Sequence, residues 1–153
     1  MSVHAPEVGS DHTLTMCRAK RDRAPIRILV VDDSEDLREA ICTFVEMHDG
    51  VEVVGCATNG NQALDEVVRL SPDLVLMDVQ MPEMNGMTAA TLIHDAFPEI
   101  ATVLMSADPA YGEFATVRTG AAAFIDKLEF VRAFPRVLKQ LAFQERPART
   151  IPS

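Results

Sequence analysis

Residues 28–38 read ILVVDDSEDLR, and their pattern is the clearest indication of the fold. Its four consecutive apolar residues are typical of a strand that is buried on both faces of a parallel sheet. Ser34 can cap a helix that follows directly, and Glu35 and Asp36 would lie beside the positive N-terminus of that helix. The stretch therefore predicts a strand that leads through an acidic turn into a helix.

The same alternation recurs along the rest of the chain. Short apolar runs rich in β-branched residues predict strands at 26–31, 51–56, 73–77, 102–105 and 122–125. Apolar residues at helical spacing lie between and after these runs. Five βα units predict an α/β fold with a parallel sheet covered by helices on both faces and joined by right-handed crossovers.

Glycine, asparagine and proline residues give the expected boundaries of these elements. Gly120 predicts the end of the fourth helix, and Asn59-Gly60 and Asn85-Gly86 predict turns. Pro135 falls within the last helical segment. Because proline disrupts a helix interior, that helix is expected either to begin near Pro135 or to kink there.

The regular pattern covers residues 26–143 of the 153-residue chain and predicts one domain. Residues 1–25 have no apolar period and are expected to form a flexible N-terminal extension, within which Met16 is an alternative start. Residues 144–153 are expected to form a short C-terminal tail.

The charge distribution argues against several classes of protein. The formal net charge is −9, and residues 26–143 carry 8 Lys and Arg against 19 Asp and Glu. An acidic body is poorly suited to the phosphate backbone of DNA, so direct DNA binding is not expected.

The sequence offers neither the long apolar run of a membrane span nor the apolar core of a secretion signal. We therefore expect a cytoplasmic protein.

Three cysteines occur, Cys17, Cys42 and Cys56. Their number is odd and their spacing does not match a metal site, so the sequence predicts unpaired thiols in a reducing cytosol.

Polar residues follow the predicted strands at the points where ligands bind in parallel sheets. Asp32 and Asp33 follow the first strand, Asp78 the third, Ser106 the fourth and Lys127 the fifth. Two carboxylates 4 Å apart repel by about 4 kcal/mol at an effective dielectric constant of 20. A divalent cation and the lysine would balance the three acids. Oxygen ligands favour Mg²⁺ or Mn²⁺ over zinc.

Each of these residues alone also fits an ordinary role, as a helix cap, a strand end or a surface charge. Together they suit phosphoryl transfer, in which a carboxylate attacks phosphorus while cations neutralise the phosphoryl oxygens. The acyl phosphate formed in this way is labile, which suits a reversible signal.

Four stretches in order, ILVVDDSEDLR, PDLVLMDVQMPEMNG, VLMSA and GAAAFIDK, resemble those of bacterial response-regulator receiver domains of the CheY-like family. The resemblance covers residues 26–143. It implies the flavodoxin-like (βα)₅ three-layer sandwich, in which a five-stranded parallel sheet has the order 2-1-3-4-5. It also implies two-component signal transduction, without enzymatic activity beyond the protein's own phosphorylation and dephosphorylation.

The resemblance further implies roles for residues of the acidic site. Asp78 matches the phosphoacceptor and Asp33 matches a direct Mg²⁺ ligand. Asp32 matches the acid that holds the metal through water, and the backbone carbonyl of Gln80 matches the third protein ligand. Asn85-Gly86 lies in the loop that matches the support of the acceptor.

Further roles concern the response to phosphorylation. Ser106 matches the hydroxyl that moves toward the phosphoryl group, Lys127 the lysine that pairs with that group, and Phe124 the aromatic switch residue. Gln80 and Asp108 are expected to flank the approach of a hydrolytic water and to tune the lifetime of the signal. The chain departs from the family at Leu128, where receivers commonly have proline.

The partners implied are a sensor histidine kinase or a histidine phosphotransfer protein, and a downstream protein whose identity is unknown. A monomer or a phosphorylation-dependent dimer is expected, without membrane binding. The main alternative is a receiver-like module that binds proteins without phosphorylation. A haloacid-dehalogenase-like phosphohydrolase would need an acid two residues after Asp78, where Gln80 stands. A flavodoxin-like cofactor binder would need a phosphate-cradling loop where Asp32 and Asp33 lie.

Overall fold

The computed structural model of the chain describes residues 24–142, apart from the side chain of Glu113. The predictions of a flexible extension, of Met16 as a start and of a C-terminal tail concern segments that lie outside the described residues, except for residues 24 and 25. In the described part of the chain, no helix is long and apolar enough to cross a membrane.

Five strands alternate with five α-helices, and the predicted fold is confirmed. The elements are β1 (Ile26–Val31), α1 (Glu35–Glu46), β2 (Val51–Ala57), α2 (Gly60–Leu70), β3 (Leu74–Asp78), α3 (Gly86–Ala96), β4 (Ala101–Ser106), α4 (Gly112–Thr119), β5 (Ala123–Asp126) and α5 (Phe130–Ala142). The strands form one parallel sheet in the order β2-β1-β3-β4-β5. Short 3₁₀ turns occur at Pro109–Tyr111 and Lys127–Glu129.

The sheet separates two apolar layers because successive side chains of a strand point to opposite faces. In β1, Leu29 and Val31 pack toward α2, α3 and α4, whereas Ile28 and Val30 pack toward α1 and α5. All four side chains are fully buried. This two-sided burial explains why the strand sequence is continuously apolar, and it gives the three-layer sandwich.

Helix caps account for the polar residues between the elements. Ser34, Asn59 and Asn85 each accept a hydrogen bond from the backbone N–H three residues later, at the start of α1, α2 and α3. The two Asn-Gly pairs predicted as turns are thus helix starts, with the asparagine as the cap and the glycine as the first helical residue. Gly120 ends α4 with a φ of 77°, as predicted.

Helix α5 begins at Phe130, and Pro135 lies five residues inside it. Of the two alternatives expected for Pro135, a helix start near it is therefore wrong, and a kink at it stays a prediction. Pro135 has no N–H to donate to the carbonyl of Val131, which precedes it by four residues. Both residues lie on the exposed side of the helix, where water can bond to that carbonyl.

Candidate functional site

The carboxyl ends of β1, β3 and β5 bring an acidic cluster and a lysine together at one edge of the sheet. One carboxylate oxygen from each of Asp32, Asp33 and Asp78 lies within 4.8 Å of the others. Asp32 and Asp78 are buried, whereas Asp33 is exposed. Asp78 lies more than 40 residues after Asp32 and Asp33 in the sequence, and it meets them because β1 and β3 are neighbours in the sheet.

Lys127 is the cation of this cluster. Its Nζ atom lies 2.7 Å from Asp32 Oδ2 and 3.1 Å from Asp78 Oδ2. Burial by itself would lower the pKa of Lys127, but the hydrogen bonds and ion pairs with the two aspartates outweigh it and raise that pKa. The ammonium therefore stays charged at neutral pH and bridges the ends of β1 and β3.

Asp78 lies in an environment that disfavours its charged form. Burial raises the pKa of its carboxyl group, the nearby charge of Asp32 raises it further, and Lys127 opposes both effects. The backbone N–H of Gln80 donates to Asp78 Oδ1 at 3.2 Å. One carboxylate oxygen of Asp78 thus faces an ammonium, and the other faces a backbone amide. A further cation would stabilise the negative charges of Asp78 and Asp32, which repel each other.

Asp32 is held by the first turn of α1. Its Oδ1 atom accepts a hydrogen bond from the backbone N–H of Ser34 at 2.9 Å. Arg38 Nη1 donates to the backbone carbonyl of Asp32 at 2.8 Å. The buried carboxylate is therefore fixed on both sides, by the start of α1 and by Lys127.

Ser106 ends β4, beside β3. Its neighbour Met105 is in register with Asp78, which places Ser106 next to the acidic cluster along the same edge. The buried Oγ atom of Ser106 accepts a hydrogen bond from the backbone N–H of Asp108 at 3.0 Å. Its hydroxyl proton can still be donated.

The remaining predicted residues lie around this edge. The side chains of Gln80 and Asp108 are exposed. Asp108 Oδ1 accepts from the backbone N–H of Ala110 at 2.9 Å and so caps the 3₁₀ turn. Phe124 is half-buried and packs against the apolar layer covered by α2, α3 and α4.

Gly86 is required by the close approach of its loop to the end of β3. A Cβ atom at this position would lie 2.0 Å from the backbone carbonyl oxygen of Asp78. The Gly86 N–H donates to the carbonyl of Val79 at 2.8 Å. The sequence marked Gly86 only as part of a turn, because this contact depends on how the loop folds back onto β3.

At Leu128, where receivers commonly have proline, a side-chain hydrogen bond holds the turn. Asp126 Oδ1 accepts a hydrogen bond from the backbone N–H of Leu128 at 2.9 Å, which a proline could not donate. The peptide bonds of the described residues are all trans. Asp126 therefore fixes the turn that contains Lys127. Sequence reasoning missed this residue, although an aspartate two positions before a turn residue is a known signal of such a bond.

We expect Asp126→Ala to lower the free energy of unfolding by about 1 kcal/mol, because the 3₁₀ turn loses its cap. Asp126→Asn keeps an acceptor oxygen and should retain most of that stability. Urea unfolding measures both variants. In a Leu128→Pro background the amide donor is absent, so Asp126→Ala should cost much less there; an undiminished cost would contradict the role given to this hydrogen bond.

The donor set fits a magnesium ion. The three acids offer only oxygen atoms, which Mg²⁺ prefers, and the exposed Asp33 leaves room for retained water. Among the described residues, Lys127 is the one ammonium paired with this cluster of three carboxylates, so a divalent cation would complete the balance of charge.

Comparisons with known proteins agree with the fold. The family model of the response regulator receiver domain matches residues 28–133. A protein-glutamate methylesterase/protein-glutamine glutaminase from Alkalilimnicola ehrlichii is 40% identical over 104 residues, which are 67% of this chain and 27% of that protein. A protein of the same name from a Nocardioides strain is 35% identical over 119 residues, or 76% of this chain and 32% of that protein. The chain thus spans about a quarter to a third of these relatives.

Solved structures give the same result. The response regulator domain of Thermotoga maritima CheB is 31% identical with a TM-score of 0.68, covering 77% of this chain and 94% of that one. The receiver domain of the putative response regulator NarL from Mycobacterium tuberculosis is 30% identical with a TM-score of 0.64, covering 76% and 98%.

Proposed function

This chain belongs to the response regulator receiver domain family, and on that premise we propose that it is a two-component switch that accepts a phosphoryl group on Asp78. The observation that carries the proposal is the bridge from Lys127 to both Asp32 and Asp78, beside the exposed Asp33. In that arrangement the carboxylate of Asp78 lies between the ammonium of Lys127 and the other two acids, which supports a nucleophilic role for it. The arrangement matches the chemistry of phosphoryl transfer.

The donor that we propose is a phosphohistidine of a sensor histidine kinase or of a histidine phosphotransfer protein. A carboxylate oxygen of Asp78 forms the new bond to phosphorus while the bond from phosphorus to the imidazole nitrogen breaks. Lys127 favours the ionised form of Asp78 and stabilises negative charge on the transferred group. The backbone N–H of Gln80 orients the carboxylate through its 3.2 Å hydrogen bond.

We propose that Asp32, Asp33, Asp78 and the Gln80 carbonyl hold Mg²⁺, or Mn²⁺ in its place. When bound, the cation neutralises charge on the phosphoryl oxygens. Asp32 is positioned by the first turn of α1, and the exposed side chain of Asp33 can reach the ion from the solvent side. These two acids then position the ion beside the phosphoacceptor.

We propose that phosphorylation is read out by Ser106, Lys127 and Phe124. The Ser106 hydroxyl can donate to a phosphoryl oxygen, and Lys127 can exchange a carboxylate partner for the phosphoryl group. Phe124 would turn inward as Ser106 moves. The altered surface consists of α4, β5 and α5, which expose large apolar side chains suited to a protein partner, including Val117 and Val131.

Further features of the proposal concern the whole protein. The switch unit consists of residues 26–143 and acts in the cytoplasm. It is a monomer or a phosphorylation-dependent dimer. Its downstream target is a protein rather than DNA. Gln80 and Asp108 would tune the lifetime of the phosphoryl group. The relatives named as methylesterases carry the matching region as a minor part of their length, so a regulatory role over such an activity is a further proposal.

The proposal predicts metal-dependent labelling. With acetyl phosphate and Mg²⁺, intact-mass spectrometry should detect one added phosphoryl group that is lost on treatment with base. Removing the metal with EDTA should lower the labelling rate at least about 100-fold, because the three carboxylates then repel the donor. Excess Mg²⁺ should restore it.

A titration with Mg²⁺ separates this proposal from its main alternative. If the chain neither binds Mg²⁺ at millimolar concentrations nor takes up phosphate, protein binding without phosphorylation becomes the better account. Uptake at the same rate in EDTA would contradict the assigned metal site.

A further inference from the structure

Two cysteines that are not part of the acidic cluster lie in contact. Cys42 belongs to α1 and Cys56 to β2, and their Sγ atoms are 3.4 Å apart. Both thiols are free, in agreement with the sequence prediction for these two residues. Cys17 lies outside the described residues. An S–S bond is about 2.05 Å long, so closing the gap requires the two sulfur atoms to approach by only about 1.4 Å.

An irregularity in β2 causes this contact. Val53 is in register with Ile28, but the next residue of β1, Leu29, is paired with Gly55, so Val54 is an extra residue. Cys56 is therefore paired with Val30, whose side chain packs toward α1 and α5. In a regular strand the alternation would direct Cys56 to the opposite face of the sheet, away from Cys42.

The two sulfur atoms differ in how far they are exposed to solvent. Cys56 is exposed, whereas Cys42 is half-buried, and both line an open cleft of about 350 Å³. Burial, followed by the hydrogen bond and the charge of Cys56, raises the pKa of Cys42 to about 12. Cys42 is thus a protonated thiol at neutral pH, and a reagent in the cleft meets Cys56 first.

We propose that Cys42 and Cys56 form a reversible intramolecular disulfide when the protein meets a low-molecular-weight disulfide such as oxidised glutathione. Cys56 loses its proton to solvent, and its thiolate attacks one sulfur of the reagent, giving a mixed disulfide and releasing one glutathione thiolate, which takes up a proton from solvent. Cys42 then loses its proton to solvent and attacks the Cys56 sulfur, which expels the second glutathione. Two protein thiols are oxidised and one glutathione disulfide is reduced to two thiols.

Two features favour the second step. Two causes of the high Cys42 pKa are the hydrogen bond and the charge of Cys56, and both disappear once Cys56 is part of a mixed disulfide. The sulfur atoms are already in contact, so the attack is intramolecular and needs no rearrangement of the fold. The bond would tie α1 to the edge strand β2, and the inference does not depend on the proposed phosphorylation.

The test uses the full chain and a Cys17→Ser variant, which removes the third thiol and leaves the described residues unchanged. Each is treated with oxidised glutathione, the remaining thiols are alkylated, and the chain is digested. Trypsin cuts after Arg38 and Arg69, leaving both cysteines in one peptide, and cleavage after Glu46 and Glu52 separates them unless a disulfide joins them. Mass spectrometry then identifies linked pairs.

The expected product lacks two hydrogens and contains the linked peptides of Cys42 and Cys56 in both proteins, and dithiothreitol reverses it. Cys42→Ser should instead accumulate a glutathione adduct on Cys56. Oxidised Cys17→Ser should melt at least about 5 °C above its reduced form, because the cross-link restricts the unfolded chain. A stable glutathione adduct on Cys56 of the Cys17→Ser protein, or no reaction in it, would overturn the proposal.

Discussion

Asp78→Asn is expected to abolish phosphoryl uptake from acetyl phosphate, lowering the labelling rate at least about 100-fold. The amide keeps the shape of the carboxylate but is not a nucleophile at phosphorus. Asp32 and Asp33 remain, so residual labelling reports how well a neighbouring acid can substitute. The readouts are intact mass and electrophoresis in a phosphate-affinity gel.

The same substitution should raise the free energy of unfolding, although it abolishes labelling. Because burial raises the pKa of Asp78, folding disfavours its ionised form at neutral pH, and a neutral amide escapes that penalty. Without Mg²⁺, Asp78→Asn should therefore unfold at a higher urea concentration than the unchanged chain. A protein that loses labelling but gains stability cannot have lost function through misfolding.

A matched control is Asp65→Asn, which removes an exposed acid on α2, away from the strand ends. It should label at the normal rate and unfold within about 0.5 kcal/mol of the unchanged chain. Full labelling of Asp78→Asn would show that the phosphoacceptor is a different residue.

The sequence predicted the fold and the positions of the acids for the same physical reason. Strand burial and helix capping depend on local patterns, such as the apolar run that ends at Asp32 and the cap at Ser34. Once the strands are parallel, their ends must share an edge. The grouping of Asp32 with Asp78 then follows from the pairing of β1 with β3.

Contacts that depend on strand register or on how distant segments pack could not be predicted from the sequence. The meeting of Cys42 and Cys56 depends on the extra residue in β2, which no local pattern announces. The distance from Gly86 to the Asp78 carbonyl depends on the path of a loop. The start of α5 ahead of Pro135 reflects packing of Phe130 and Phe134 in the core, which outweighs the cost of an exposed proline.

Lys127→Met is expected to have the second large effect, a loss of about 3 kcal/mol in the free energy of unfolding at neutral pH without Mg²⁺. Methionine fills a similar volume but leaves the carboxylates of Asp32 and Asp78 without the ammonium that lies 2.7 and 3.1 Å from them. Both acids are buried, and Asp32 has no exposed surface. Uncompensated charges in such positions are costly.

The pH and metal dependence of this variant follow from the signs of the charges. The pKa of Lys127 is raised in the folded protein, so its contribution is fully present at neutral pH and is lost only as the pH rises through that raised pKa. The deficit of Lys127→Met should shrink as the pH falls and Asp78, whose pKa is raised by burial, becomes protonated. Mg²⁺ should reduce it as well, by supplying the missing positive charge.

A double-mutant cycle gives the decisive measurement by urea unfolding. In an Asp78→Asn background one of the two carboxylates is already neutral, so Lys127→Met should cost clearly less than it does alone. Lys139→Met, an exposed change on α5, should stay within about 0.5 kcal/mol of the unchanged chain. If Lys127→Met were as stable as this control at neutral pH without Mg²⁺, the lysine would not be what holds the buried acids together. The electrostatic account of the site would then fail, because without that ammonium no described cation lies within ion-pair distance of Asp32 or Asp78.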